Sequence, residues 1–164
     1  MSTGSRVLTV VAVLGALSLS GCSADPDPAL VADLEQLDMP LRLPELRRSG
    51  LSNLHVDGRR AVADLTAYPG TSFWLAAAPG PVRDLCRALR WSYLHDSDCT
   101  TVGDDAIVAD FEEMTTVAVV RDDTVLVLGG LVTEADASLT VDALAALREA
   151  PVVSAEELAR EAGT

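Results

Sequence analysis

The chain contains no lysine: all twelve of its basic residues are arginine, set against 25 Asp and Glu, for a formal net charge of −13. An acidic balance of this size argues against nucleic acid as a partner, where the dominant favourable contact is Lys or Arg on phosphate. It argues equally against direct docking of the folded part on anionic lipid headgroups. A cationic partner, or plain solubility, is what it allows. Histidine is nearly missing, with only His55 and His95. There is no Gly-x-Ser-x-Gly elbow, no Ser-x-x-Lys pair and no His-Glu-x-x-His, so no catalytic residue is assigned. The apolar run Val7–Leu19 is too short to cross a hydrocarbon core of about 30 Å as a helix.

What that run does is lead to Leu19-Ser20-Gly21-Cys22. A short polar start with one positive charge, Arg6, an apolar stretch, then a small pair before a cysteine is the pattern of a secretory signal. Residues 1–22 resemble a bacterial lipoprotein precursor. The resemblance implies lipid on the Cys22 thiol, cleavage before Cys22 (residues 1–21 being the signal peptide), and often acylation of the new amine. Two or three acyl chains hold a protein firmly where one does so only marginally. The expected partner of this end is therefore the membrane, through the lipid on Cys22, on the extracytoplasmic face. Residues 22–28, which include Ser23-Ala24-Asp25-Pro26-Asp27-Pro28, read as an extended, charged, proline-rich tether. Loss of Arg6 with the leader makes the mature chain one charge more negative. The arginine-only basic set, with abundant Ala, Val, Gly and Asp, fits a GC-rich genome such as an actinobacterial one.

Residues 29–164 are the length of one domain with a core of its own. Asp27-Pro28 starts a helix with Leu30, Val31, Leu34 and Leu37 on one face, ended by Met39-Pro40. Pro44 to Arg48 reads as a further short turn. Residues 53–56 and 61–65 flank Asp57-Gly58-Arg59-Arg60 as a hairpin. The continuous apolar run at 72–77 predicts a strand covered on both faces. A helix after Pro81 places Val82, Leu85, Cys86, Leu89 and Tyr93 inward, and His95 to Thr101 reads as a polar loop. A strand at 107–111 and a hairpin around Arg121-Asp122-Asp123-Thr124 follow, ended by Gly129-Gly130. Then come a helix to Glu149 and a last helix opened by the capping box Ser154-Ala155-Glu156-Glu157. The expectation is an α+β fold: a single antiparallel or mixed sheet of about six strands, with helices mainly on one face.

With Cys22 assigned to lipid, Cys86 and Cys99 form an even pair, expected as one disulfide in an oxidising compartment. Their spacing is not that of CxxC redox or zinc sites. His95-Asp96-Ser97-Asp98-Cys99, with Asp104 and Asp105 nearby, is the densest set of ligand types. An EF-hand loop starting at Asp96 fails, because Thr101 and Ile107 occupy the glycine and glutamate positions. No metal or cofactor is assigned. Glu112-Glu113 and Asp122-Asp123 do not make a glycosidase pair, since strand neighbours face apart and turns favour aspartate. Five of the six aromatics are Tyr68, Phe73, Trp74, Trp91 and Tyr93. They read as a core seam, or alternatively as a ligand or glycan groove built from Trp74, Trp91 and Tyr93. The function expected is that of a lipid-anchored cell-envelope protein with a non-catalytic binding domain for another envelope component. A small-ligand or glycan carrier is the alternative, and an enzyme using acidic groups a further one.

Overall fold

The structure, a computed structural model, describes residues 25–46, 49–90, 98–111, 114–132 and 138–163. Seven antiparallel strands make one open sheet in the order β1-β2-β3-β7-β6-β5-β4. They are β1 Leu51–Asp57, β2 Arg60–Leu65, β3 Ser72–Ala77, β4 Asp98–Val102, β5 Ala106–Phe111, β6 Met114–Arg121 and β7 Thr124–Val132. Four helices lie among the described residues: α1 Pro28–Glu35, α2 Val82–Arg90, α3 Leu139–Glu149 and α4 Ala155–Glu161. No helix among the described residues is long and apolar enough to cross a membrane.

The period of two along each strand splits the apolar side chains between two faces. Phe73 and Leu75, Leu126 and Leu128, and Val117 and Val119 meet Leu34 of α1, Leu147 of α3 and Leu158 of α4. Trp74, Val127, Ala118, Ile107 and Ala109 point the other way and meet Leu85 and Leu89 of α2. Three helices thus cover one face and α2 covers part of the other. The central strands β3 and β7 are buried on both sides, which is why they read as unbroken apolar runs.

The sheet has seven strands where about six were expected. The additional one is β4, whose sequence Asp-Cys-Thr-Thr-Val falls largely in the stretch read as a polar loop. It is an edge strand, paired only with β5 and largely exposed, so neither face imposes an apolar alternation. Two of the tight hairpins obey different turn rules. Asp57 pairs with Arg60, so the first turn is Gly58-Arg59, with positive φ at Gly58. Arg121 pairs with Thr124, and Asp122 and Asp123 both take positive φ, the pattern of a type I′ turn. The cap at Asp27 forms as expected, its Oδ1 accepting from the Ala29 N–H at 2.9 Å. So does the cap at Ser154, whose Oγ accepts from the Glu157 N–H at 3.1 Å. Ser49 donates to the Leu46 carbonyl at 3.2 Å, as in the short turn expected there, while residues 41–46 form no turn of helix. Instead Leu43 donates to the Pro151 carbonyl and Val153 to the Leu41 carbonyl, tying it to the chain before α4.

Gly129-Gly130 does not end the last strand. β7 runs through it to Val132, with an irregularity in its pairing opposite Thr115–Val117. Gly130 takes φ +80, and a Cβ there would lie 2.7 Å from the Gly70 carbonyl oxygen. Gly58 also has positive φ, +63, but open space around it. Gly130→Ala is therefore expected to cost more than about 1 kcal/mol in urea unfolding, and more than Gly58→Ala. Equal costs at the two positions would show that the close approach to Gly70 is not felt.

Candidate functional site

The Cys86–Cys99 disulfide is formed, with an S–S distance of 2.00 Å and a Cα–Cα distance of 5.8 Å. It bonds α2 to the edge strand β4 and so fastens the one helix described on that face to the rim of the sheet. The bonded residues are 13 apart, and closing a loop of that length in the unfolded chain is worth roughly 3 kcal/mol. Reduction is expected to lower stability by about that amount, with the largest gain in backbone hydrogen exchange in α2 and β4. Unchanged exchange in those two elements would count against the staple.

On the same face of the sheet as α2 lies Trp74, only 5 % exposed. Its ring belongs to the apolar layer between sheet and helix and forms no open platform. The other two members of the aromatic groove, Trp91 and Tyr93, lie outside the described residues, as do Cys22, His95, Asp96, Ser97, Glu112 and Glu113. Asp98 opens β4 and is exposed. His55 is exposed on β1, with Nδ1 2.8 Å from the Asn53 carbonyl oxygen. Among the described residues no three His, Cys, Asp or Glu side chains gather to hold a metal ion.

Three of the ion pairs among the described residues organise the polar side of the molecule, and the sequence alone marks none of them. Arg148 of α3 grips Asp105 with two hydrogen bonds, Nε at 2.8 Å and Nη2 at 2.7 Å, and also donates to the Val102 carbonyl at 3.1 Å. This ties the β4–β5 turn to α3 across the sheet. The buried Arg42 donates to the Ala150 carbonyl at 2.8 Å and pairs with Asp122 in the β6–β7 turn. Its Nε is buried without a partner among the described residues. On the surface, Arg60 pairs with Asp57 across the first hairpin.

The Arg148 hydrogen bonds hold the Asp105 carboxyl below its ordinary value of 3.8, against the opposing effect of burial. A carboxylate whose folded pKa is lowered contributes stability above its unfolded pKa and loses it as pH falls through the folded one. Both side chains are 37 % exposed, so the contribution is discounted to about 1 kcal/mol or less. Asp105→Asn is expected to lower stability at pH 7 and to flatten the decline below about pH 4. An unchanged slope in denaturant melts across that range would remove Asp105 from the acid response.

Four recesses in the surface are lined by described residues. One of about 370 Å³ lies between the end of α1 and the first hairpin and mixes Asp33 and Asp38 with Arg59. A second, about 310 Å³, sits at the β4 rim with Arg83 and Asp104. A third, about 200 Å³, is shared by Asp25–Asp27 and the end of α4. The fourth, about 220 Å³, runs along α3 against Tyr68 and Leu46, and its ionised groups are all carboxylates. No known protein family, curated protein or solved structure matches the chain.

Proposed function

We propose that this chain is a lipid-anchored protein of the extracytoplasmic face of a bacterial membrane, whose domain acts by binding another envelope component. The observation that carries the reading is Leu19-Ser20-Gly21-Cys22 at the end of the apolar run Val7–Leu19. Two features support it. The Cys86–Cys99 disulfide suits an oxidising compartment. And α1 begins at Pro28, so five residues separate it from Cys22, six Cα steps with a reach of at most about 20 Å when extended. In that arrangement the lipid supplies the membrane affinity, and the acidic domain stands off the bilayer instead of lying on it.

The carrier reading, with a groove of Trp74, Trp91 and Tyr93, is less favoured because Trp74 is buried in the apolar layer of that face. The test is the intact mass of the full chain produced in a lipidating bacterial host, with and without reduction and alkylation. The expected product starts at Cys22, carries two or three acyl chains, and alkylates at Cys86 and Cys99 only after reduction. Cys22→Ser is expected to abolish the acyl mass and release the protein from membranes. An unlipidated wild-type chain recovered in the soluble fraction would overturn the anchor. Failure of cross-linking in intact cells to yield a reproducible partner would count against the binding role.

A further inference from the structure

We propose that the groove along α3 is a docking site for a basic amphipathic helix of a partner protein. The inference rests on the binding role proposed above, but its chemistry is independent of the lipid. The groove is built on a repeat. Asp142, Ala145, Ala146 and Glu149 are spaced i, i+3, i+4 and i+7 and share one face of α3. Its middle consists of the two alanines, whose small side chains allow another helix axis to approach closely. Tyr68 and Leu46 line it from outside α3, so apolar side chains lie between the charged ones.

The rim carries charge of one sign. Asp142 and Glu149 stand two helical turns apart, about 10 Å along the axis, and Glu45 faces them from the other wall. Among the described residues none of these three carboxylates has an ion-pair partner. Glu149 is also the last residue of α3, where the negative end of the helix dipole disfavours a carboxylate. A cation placed there would relieve both charges at once. An apolar strip flanked by carboxylates at a seven-residue spacing is the complement of a helix with an apolar face and basic residues two turns apart. A second copy of this chain is the poorer occupant, because each copy carries a net charge of −13. The same excess charge steers a cationic partner inward from a distance.

A protein this acidic attracts any polycation, so the test has to localise the contact. The full chain in detergent is titrated with a synthetic helical peptide of Leu, Ala and Lys, about 18 residues or five turns long, with lysines at seven-residue spacing. A scrambled peptide of equal charge is the control. Hydrogen exchange by mass spectrometry is expected to show protection in α3 and around residues 45–46 and Tyr68 with the first peptide only. Neutralising the rim (Glu45→Gln, Asp142→Asn, Glu149→Gln together) is expected to weaken binding at least tenfold. The same charge change on α1 and its approach (Asp25→Asn, Asp33→Asn, Glu35→Gln) is expected to weaken it less than threefold. Ala145→Trp, which alters no charge and lies on the exposed side of α3, is expected to block docking by filling the groove.

Equal losses from the two neutralised variants, or protection outside α3, would overturn the proposal in favour of bulk charge. A dimer of the free chain with α3 protected would overturn it in favour of self-association. Loss of binding on neutralising Arg47 and Arg48, which follow Leu46 in the sequence, would also overturn it, since a cationic ligand cannot depend on them. None of these outcomes depends on lipidation, and the mass of the anchored chain reads out separately.

Discussion

The ladder between β3 and β7 is the constraint on which the rest of this structure depends. The first three strands form one meander and the last four another, and each is local in sequence. Only the pairing of Ser72–Ala77 with Gly129–Thr124 joins them into a single sheet. That pairing puts Phe73 opposite Leu128, Trp74 opposite Val127 and Leu75 opposite Leu126. Each pair then contributes to one of the two apolar layers. Without the ladder, α3 would cover a four-stranded sheet and α1 with α4 a three-stranded one, each with too little buried surface to be stable alone.

The two layers are held in different ways. The three-helix side has the larger core and is closed by hydrogen bonds between Leu41–Leu43 and Pro151–Val153 and by the buried Arg42. The α2 side is a smaller layer and relies on a covalent bond to its rim. A nine-residue helix is marginal by itself, so most of its stability must come from packing and the disulfide. The ion pair of Arg148 with Asp105 adds a link from α3 to the rim of the sheet at the β4–β5 turn. Bonds of these two kinds thus anchor both ends of β4, the most exposed strand.

Strong local patterns in the sequence told the truth about most of the fold. The apolar run at 72–77, the Asp27 and Ser154 caps and the inward-facing Cys86 each carry their own short-range signal, and each forms as expected. β4 was missed because an exposed edge strand has no apolar face to betray it. Gly129-Gly130 was read as a stop because glycine pairs end strands more often than they let two backbones approach. The arginines that matter were invisible for a different reason. Arg42 meets Asp122 across 80 residues and Arg148 meets Asp105 across 43, and nothing local distinguishes them from the other arginines. The α3 groove was legible only in part: the spacing of Asp142 and Glu149 is in the sequence, but Tyr68 and Glu45 reach it only through the fold.

The recess shared by Asp25–Asp27 and by Ala159, Arg160, Ala162 and Gly163 shows that the two ends of the domain lie side by side. Helices α1 and α4, first and last among the described residues, also belong to one apolar layer. The domain is thus close to a closed ring in three dimensions, entered and left through one doorway. A tether attached at either end would pull from the same place and present the same surface to whatever it is fixed to.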